Sequence, residues 1–200
     1  MKQKTILIFA YYSYYDPVFQ SAVLPYFRGL SQNKSLRFVL LTFEKNQYQI
    51  TKEAYVQLKK ELATEDNILW YRSIWRSGSF KLFKKVYDFV SSLLFARKLI
   101  KKYAVDAVYS EAFPGAIMGH HLARHFNIPH MVHSFEPHTQ YIVEAGVWRE
   151  NAWEARLLRH YEVKIAKHGD RGDDGAHSFL GQYRGIGAGA FLYRYYGFSV

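Results

Sequence analysis

The chain has 200 residues, of which 49% are hydrophobic, and a formal net charge of +10. Its length suits a single domain with a real core. Cysteine is absent, which excludes a disulfide framework, a thiolate nucleophile and a zinc–thiolate site. The basic excess leaves two classes of partner, which are nucleic acid and an anionic membrane or phosphate-bearing substrate.

Short apolar runs alternate with amphipathic segments along the chain. The predicted strands are residues 5–12, 37–43, 67–71, 105–110 and 129–135. The predicted helices are residues 17–30, 47–63, 79–102, 114–126 and 152–167. The first apolar run is short and ends in tyrosines, so we interpret it as a buried strand rather than a signal peptide. The alternation predicts an α/β fold with a mainly parallel sheet and helices on both faces.

Local signals support the first and fourth helices. Asp16 and Pro17 fit an N-cap followed by proline at the first helical position. The helix 114–126 and the turn before it contain small residues that would let the helix sit close to a sheet. These small residues are Ala112, Ala116, Gly119 and Ala123.

Polar residues follow two of the predicted strands directly. Glu111 comes after strand 105–110, and Glu136 and His138 come after strand 129–135. Ligands of open α/β sheets bind beyond the carboxyl ends of the strands. We therefore predict that Glu136 and His138 bind a substrate hydroxyl and abstract its proton, and that Glu111 shapes the pocket. From the residues alone, a structural role for the three remains the alternative.

The other histidines favour packing over metal binding. His121 and His125 are four residues apart on one predicted helix, so they share a face and could bind a metal. No acidic residue lies between them, and the neighbouring His120 does not complete a set of metal ligands. His130 and His133 are three apart on a strand, so they are expected on opposite faces of the sheet. One of the two is expected to be buried against a helix with a hydrogen-bond partner. No metal and no cofactor are expected.

The helix 79–102 is amphipathic, with an apolar stripe and basic ends. The stripe consists of Leu82, Val86, Phe89, Leu93, Ala96 and Ile100. The basic residues are Lys81, Lys84, Lys85, Arg97, Lys98, Lys101 and Lys102. The helix fits a solvated surface, an anionic membrane surface or, least well, nucleic acid, because no nucleic-acid motif accompanies the charge. No nucleic-acid partner is expected.

The composition changes after His168. Eight of the 13 glycines fall in residues 169–200, and lysine is absent after Lys167. The glycine-rich stretch 185–189 does not follow a convincing strand, so it does not predict a phosphate loop. We predict that residues 171–200 are an atypical tail outside the native fold, as either a flexible terminus or the product of truncation or a frame error. A glycine-rich functional loop is the least favoured alternative.

From residue 5 to about residue 170 the sequence resembles the N-terminal domain of family 4 glycosyltransferases of the GT-B architecture. Three segments carry the resemblance in order: DPVFQSAVLPYFRGLS at 16–31, VDAVYSE at 105–111 with the later NIP at 127–129, and SFEPH at 134–138 with YIVEAGVW at 141–148. A helix containing Glu162 and leading to HGD at 168–170 completes the third segment.

The resemblance implies two Rossmann-like domains with a cleft between them. Residues 1–170 would be the acceptor-side domain, and the donor-binding domain would be absent from this sequence. The implied partners are a nucleotide-sugar donor, a saccharide or lipid-linked acceptor, and an anionic membrane surface on the cytoplasmic side. Tyr14 and Asp16, in the turn after the first strand, join Glu111 as candidate substrate-binding residues.

The implied reaction is metal-independent hexosyl transfer, with a role in cell-surface polysaccharide synthesis. This truncated half is expected to be inactive alone. The sequence departs from the family in its first turn, residues 12–17, which lacks the paired glycines that many members place beside the donor phosphates. The alternative function is a non-catalytic Rossmann-like module that binds anionic ligands or nucleic acid.

Overall fold

The computed structural model describes residues 3–48, 50–74, 81–134, 138–169 and 191–195. Two compact units divide the chain, Met1–Val108 and Tyr109–Val200. The fold is α/β and Rossmann-like, with parallel strands that alternate with helices.

The first unit contains three strands in the order β3-β2-β1. They are β1 (Lys4–Ala10), β2 (Leu36–Glu44) and β3 (Ile68–Ile74), and both pairs run parallel. In the register, Lys4 lies opposite Leu36 and Phe38 lies opposite Ile68. Leu7, Ile8 and Phe9 are fully buried. Consecutive buried apolar residues are typical of a strand that is covered on both faces.

The first helical segment of this unit begins where the sequence predicts, and the second begins later. A π-helical turn (Phe19–Val23) leads into α1 (Leu24–Ser31). The Asp16 side chain accepts a hydrogen bond from the N–H of Val18 at 3.0 Å, so Asp16 is the N-cap that the sequence predicted. Helix α2 (Lys52–Glu65) begins later than predicted, because the Thr51 side chain caps it by accepting from the N–H of Ala54 at 3.1 Å.

The remaining helix of the first unit is long and only partly covered. Helix α3 spans Lys81–Tyr103. Its buried face includes Asp88, Ser92, Ala96, Leu99 and Ile100. Val86, predicted on the apolar stripe, is 56% exposed instead. The prediction was wrong for Val86 because the buried face of α3 includes two polar residues, Asp88 and Ser92, which an apolar pattern does not identify.

The second unit contains strands β4 (Ala107–Glu111, which begins in the first unit), β5 (His130–Ser134) and β6 (Phe191–Tyr195). Their order is β4-β5-β6. Its helices are α4 (Phe113–Phe126), α5 (His138–Glu144) and α6 (Trp153–Gly169). The sequence did not predict α5. A core of Phe113, Ala116, Val132, Leu158 and Ile165 lies between α4, β5 and α6.

Strand β6 is the exception to the parallel pattern. It pairs antiparallel with β5, with Ser134 opposite Phe191 and His130 opposite Tyr195. These five residues belong to the stretch 171–200. The placement of that stretch outside the native fold stays a prediction, as does the boundary at residue 170.

Candidate functional site

The second unit joins a carboxylate and an imidazole at the ends of two strands. Glu111 is the last residue of β4, and His133 lies near the end of the neighbouring strand β5. His133 Nδ1 is 2.6 Å from Glu111 Oε1. The Glu111 side chain is 1% exposed, whereas that of His133 is 15% exposed. The histidine therefore has limited access to solvent and the carboxylate almost none.

The contact with Glu111 determines which nitrogen of the His133 imidazole carries a hydrogen. A carboxylate only accepts hydrogen bonds, so Nδ1 of His133 carries the hydrogen of this contact. The nitrogen that can take up a proton is then Nε2. A histidine oriented in this way is suited to general-base chemistry on a hydroxyl group.

A strained backbone follows Glu111 directly. Ala112 has φ 63° and ψ 159°, a conformation that is almost exclusive to glycine and costs on the order of 1–3 kcal/mol in other residues. The N–H of Ala112 donates to the backbone oxygen of His133 at 3.1 Å. This hydrogen bond links the ends of β4 and β5 and fixes the start of α4. Strain of this kind concentrates at functional sites.

A second histidine of the same unit, His130, also contacts a residue of β4. Ser110 Oγ and His130 Nε2 are 2.8 Å apart, and both residues are buried. Burial lowers the pKa of His130 to about 3, and His120 acts in the same direction. His130 is therefore neutral at physiological pH. The predicted opposite placement of His130 and His133 is confirmed, because they contact the consecutive residues Ser110 and Glu111.

The two catalytic candidates predicted from the sequence, Glu136 and His138, lie wholly or partly outside the residues that the structure describes. Glu136 is outside the described residues, and the side chain of His138 is not described. Both therefore stay predictions. The carboxylate of Glu162 on α6 accepts the N–H of Thr139 at 2.8 Å. Glu162 thus anchors the first turn of α5, the segment that begins with His138.

The first unit has its own polar cluster at the end of β2. Thr42 Oγ1 donates to Glu44 Oε1 at 2.6 Å, and the N–H of Tyr14 is 3.2 Å from the same oxygen. Burial raises the pKa of Glu44, while these hydrogen bonds and the charge of Arg72 oppose the shift. Glu44 therefore ties the turn after β1 to the end of β2.

That cluster gives Tyr14 and Asp16 structural contacts. Tyr14 is 2% exposed, and its ring centroid lies 4.2 Å from that of Trp70. Asp16 caps the following helix. Their role in substrate binding stays a prediction. Sequence reasoning did not single out Glu44, although a glutamate at the carboxyl end of a strand is the same signal that identified Glu111.

The histidines of α4 have protein contacts of their own. His121 Nε2 is 3.1 Å from the hydroxyl of Tyr161. Burial lowers the pKa of His121, and the charges of Lys164 and Arg124 add to the shift. Among the described residues, no group of three or more histidine and carboxylate side chains could hold a metal ion.

Helix α3 presents an apolar and basic surface to solvent. Val86, Tyr87, Val90 and Leu94 are between 46% and 60% exposed. Arg97, Lys98 and Lys101 are exposed farther along the helix. We call these seven residues the α3 surface. The side chains of Lys81, Lys84 and Lys85 are outside the described part, and Lys102 is exposed beside Tyr103. No described helix has both the length and the hydropathy to cross a bilayer.

Comparisons with known proteins give structural similarities. No family model matches the chain, and no curated protein matches it. One similar solved structure is Phytolacca americana UGT2 complexed with UDP-2fluoro-glucose and pterostilbene, with 14% identity and a TM-score of 0.47. The match covers 65% of this chain and 30% of that one.

Two further solved structures are similar to the chain. Acinetobacter baumannii MurG matches at 18% identity and a TM-score of 0.38, over 64% of this chain and 34% of that one. A UGT transferase from Siraitia grosvenorii in complex with UDP matches at 13% identity and a TM-score of 0.45, over 72% and 33%. The chain spans about a third of the length of each.

Proposed function

We propose that residues 1–170 are the acceptor-side domain of a GT-B glycosyltransferase. The protein would transfer a sugar from a nucleotide-sugar donor to a hydroxyl of a saccharide or lipid-linked acceptor. The observation that carries the proposal is the Glu111–His133 pair at the carboxyl ends of β4 and β5. Ligands of open α/β folds bind at this edge, and the pair supplies the base that a hydroxyl acceptor needs.

The role of each residue follows from its contacts. Nε2 of His133 takes the proton of the acceptor hydroxyl while that oxygen attacks the anomeric carbon of the donor sugar and the nucleoside diphosphate leaves. Glu111 holds the imidazole by its Nδ1–H. Glu136 and His138 follow β5 directly, and in this proposal they bind the acceptor beside His133 or share the role of base.

The finer points of the proposal rest on the order of the sequence motifs. The resemblance ends at about residue 170, so the proposed donor-binding domain lies outside residues 1–170 and this part of the chain is inactive alone. A hexose donor and a role in cell-surface polysaccharide synthesis belong to the same proposal. The α3 surface supports peripheral binding to an anionic membrane, because its apolar side chains and its lysines suit an anionic lipid surface.

A transfer assay tests the proposed base. We would compare wild type with His133→Gln and Glu111→Gln in a protein that carries the donor domain as well, using a radiolabelled nucleotide sugar. We expect His133→Gln to lower kcat by about 10²–10⁴-fold, because Gln cannot take up the proton. Glu111→Gln keeps the size of the side chain and removes the charge that orients the His133 imidazole, so a smaller loss of kcat is expected.

A matched variant separates catalysis from folding. His121→Gln removes a histidine that contacts Tyr161 instead of Glu111, so its activity should equal that of wild type. If His133→Gln retains full activity, His133 is not the base. If no transfer occurs, and binding to nucleic acid falls steeply with salt and ignores His133, the chain is a binding module instead.

A further inference from the structure

Two lysines and two tyrosines meet at the outer edge of the first unit. Tyr71 lies on β3, the edge strand of that unit, and Tyr103 is the last residue of α3. Their hydroxyl groups are hydrogen-bonded to each other. Lys59 Nζ lies 4.5 Å from the ring centroid of Tyr71, and Lys102 Nζ lies 5.1 Å from that of Tyr103. We call these four residues the β3-edge site.

The ammonium groups of this site have no acidic partner within the described part of the chain. The ion pairs found there involve Lys4, Arg28 and His133. The helical neighbours of Lys59 four residues away, Tyr55 and Ala63, are uncharged. Both lysines therefore keep their positive charge uncompensated by a carboxylate contact.

The positive potential acts on Tyr103. Burial raises the pKa of its phenol, but the hydrogen bond with Tyr71 and the charges of Lys102 and Lys59 outweigh that effect and lower the pKa overall. The guanidinium of Arg72 adds a third cation on the other face of β3, 4.2 Å from the ring centroid of Tyr55. The edge of this strand is thus a partly exposed, cationic and hydroxyl-bearing surface.

We propose that the β3-edge site binds the phosphate group of a ligand. Each ammonium group can donate up to three hydrogen bonds, and one phenol hydrogen is left to donate, because the other is used in the Tyr71–Tyr103 hydrogen bond. Phosphate oxygens accept such charge-assisted bonds, and lysine binds phosphate as a compact charge. The site uses none of the residues of the Glu111–His133 pair, so it is independent of the proposed transferase chemistry.

Direct binding to the full chain tests the site. Isothermal titration calorimetry at low salt would measure binding of inorganic phosphate and of glycerol phosphate, and co-sedimentation would measure binding to vesicles of phosphatidylglycerol and phosphatidylcholine. The test variant is Lys59→Gln with Lys102→Gln. The matched control is Lys34→Gln with Lys60→Gln, which removes the same charge from two exposed lysines of the same unit.

The test variant should weaken phosphate binding by about tenfold or more, and the control should not. Tyr103→Phe, which keeps the ring and removes the hydroxyl, should weaken binding less. If vesicle binding depends on Lys59 and Lys102, the phosphate belongs to a lipid headgroup; if only the soluble esters depend on them, it belongs to a soluble ligand. Equal effects of test and control variants, or no binding by wild type, would overturn the proposal.

Discussion

Gly119 is the residue where adding one carbon should damage the second unit most clearly. It lies on α4, which packs against the Ser110–His130 pair. A Cβ atom at this position would come within 2.5 Å of His130 Nε2 and still closer to Ser110 Oγ. Gly119→Ala must therefore push α4 away from the sheet or break the Ser110–His130 hydrogen bond.

The expected cost follows from three opposing effects. Overpacking a filled core costs about 1–3 kcal/mol. Leaving a buried hydrogen-bonding group unsatisfied costs about 1–3 kcal/mol. Replacing glycine by alanine inside a helix stabilises that helix by about 1 kcal/mol. We expect Gly119→Ala to lower the free energy of unfolding by about 3 kcal/mol, which urea denaturation followed by circular dichroism would measure.

Two further variants test whether the lost stability comes from the contact between Gly119 and the Ser110–His130 pair. A Cβ atom added at Gly29 on α1 would meet no atom within 4 Å, so Gly29→Ala should be neutral or stabilise by up to about 1 kcal/mol. Adding Ser110→Ala to Gly119→Ala removes the nearest clashing atom and should restore part of the stability, which a double-mutant cycle detects. A Gly119→Ala protein as stable as wild type would refute the close packing of α4 on the sheet.

Two more predictions concern His130 and the α3 surface. Because the pKa of His130 is lowered from 6.5 to about 3 in the folded state, the unfolded state binds more protons between these values. The free energy of unfolding should therefore fall as the pH drops from 6.5 towards 3, by up to about 1.4 kcal/mol per pH unit, and His130→Asn should flatten this slope in urea titrations. Val90→Ser with Leu94→Ser should weaken binding to anionic vesicles by about 30-fold, since each of the two lost side chains contributes roughly 1 kcal/mol of burial.

Each of these predictions has a matched comparison. His125 is an exposed histidine on α4, and His125→Asn is the comparison for the loss of a surface histidine. A wild-type slope in His130→Asn would contradict the buried state of His130. Val56 on α2 is 66% exposed, so Val56→Ser is the control for vesicle binding. If Val56→Ser and the double variant reduce vesicle binding equally, insertion of the α3 surface into the vesicle is contradicted.

The strand and helix pattern was predictable because it depends on local chemistry. The buried run at Leu7, Ile8 and Phe9 suits only a covered strand, and Asp16 before Pro17 determines where the first helix begins. The spacing of His130 and His133 predicted opposite faces correctly. Helix α5 was missed because its first turn is anchored by Glu162, a contact between residues far apart in sequence.

The site was only partly predictable. Glu111 was identified because it follows a strand, but the sequence did not pair it with His133. Strand pairing instead places His133 of β5 beside it, at 2.6 Å. Glu44 also follows a predicted strand and could have been singled out, but its hydrogen bond to the turn after β1 depends on how β1 and β2 pair.

By itself, the sequence determined the α/β class, the alternation of the five predicted strands with helices, the Asp16 cap and the separation of the two strand histidines, because these depend on side-chain period and backbone chemistry within a few residues. Only the tertiary structure decided which carboxylate meets which imidazole, that α4 approaches the sheet closely enough to require Gly119, and that Val86 and its neighbours on α3 face solvent. Those outcomes depend on which distant elements pair and pack, and side-chain contacts across such pairs leave no periodic signal in the chain.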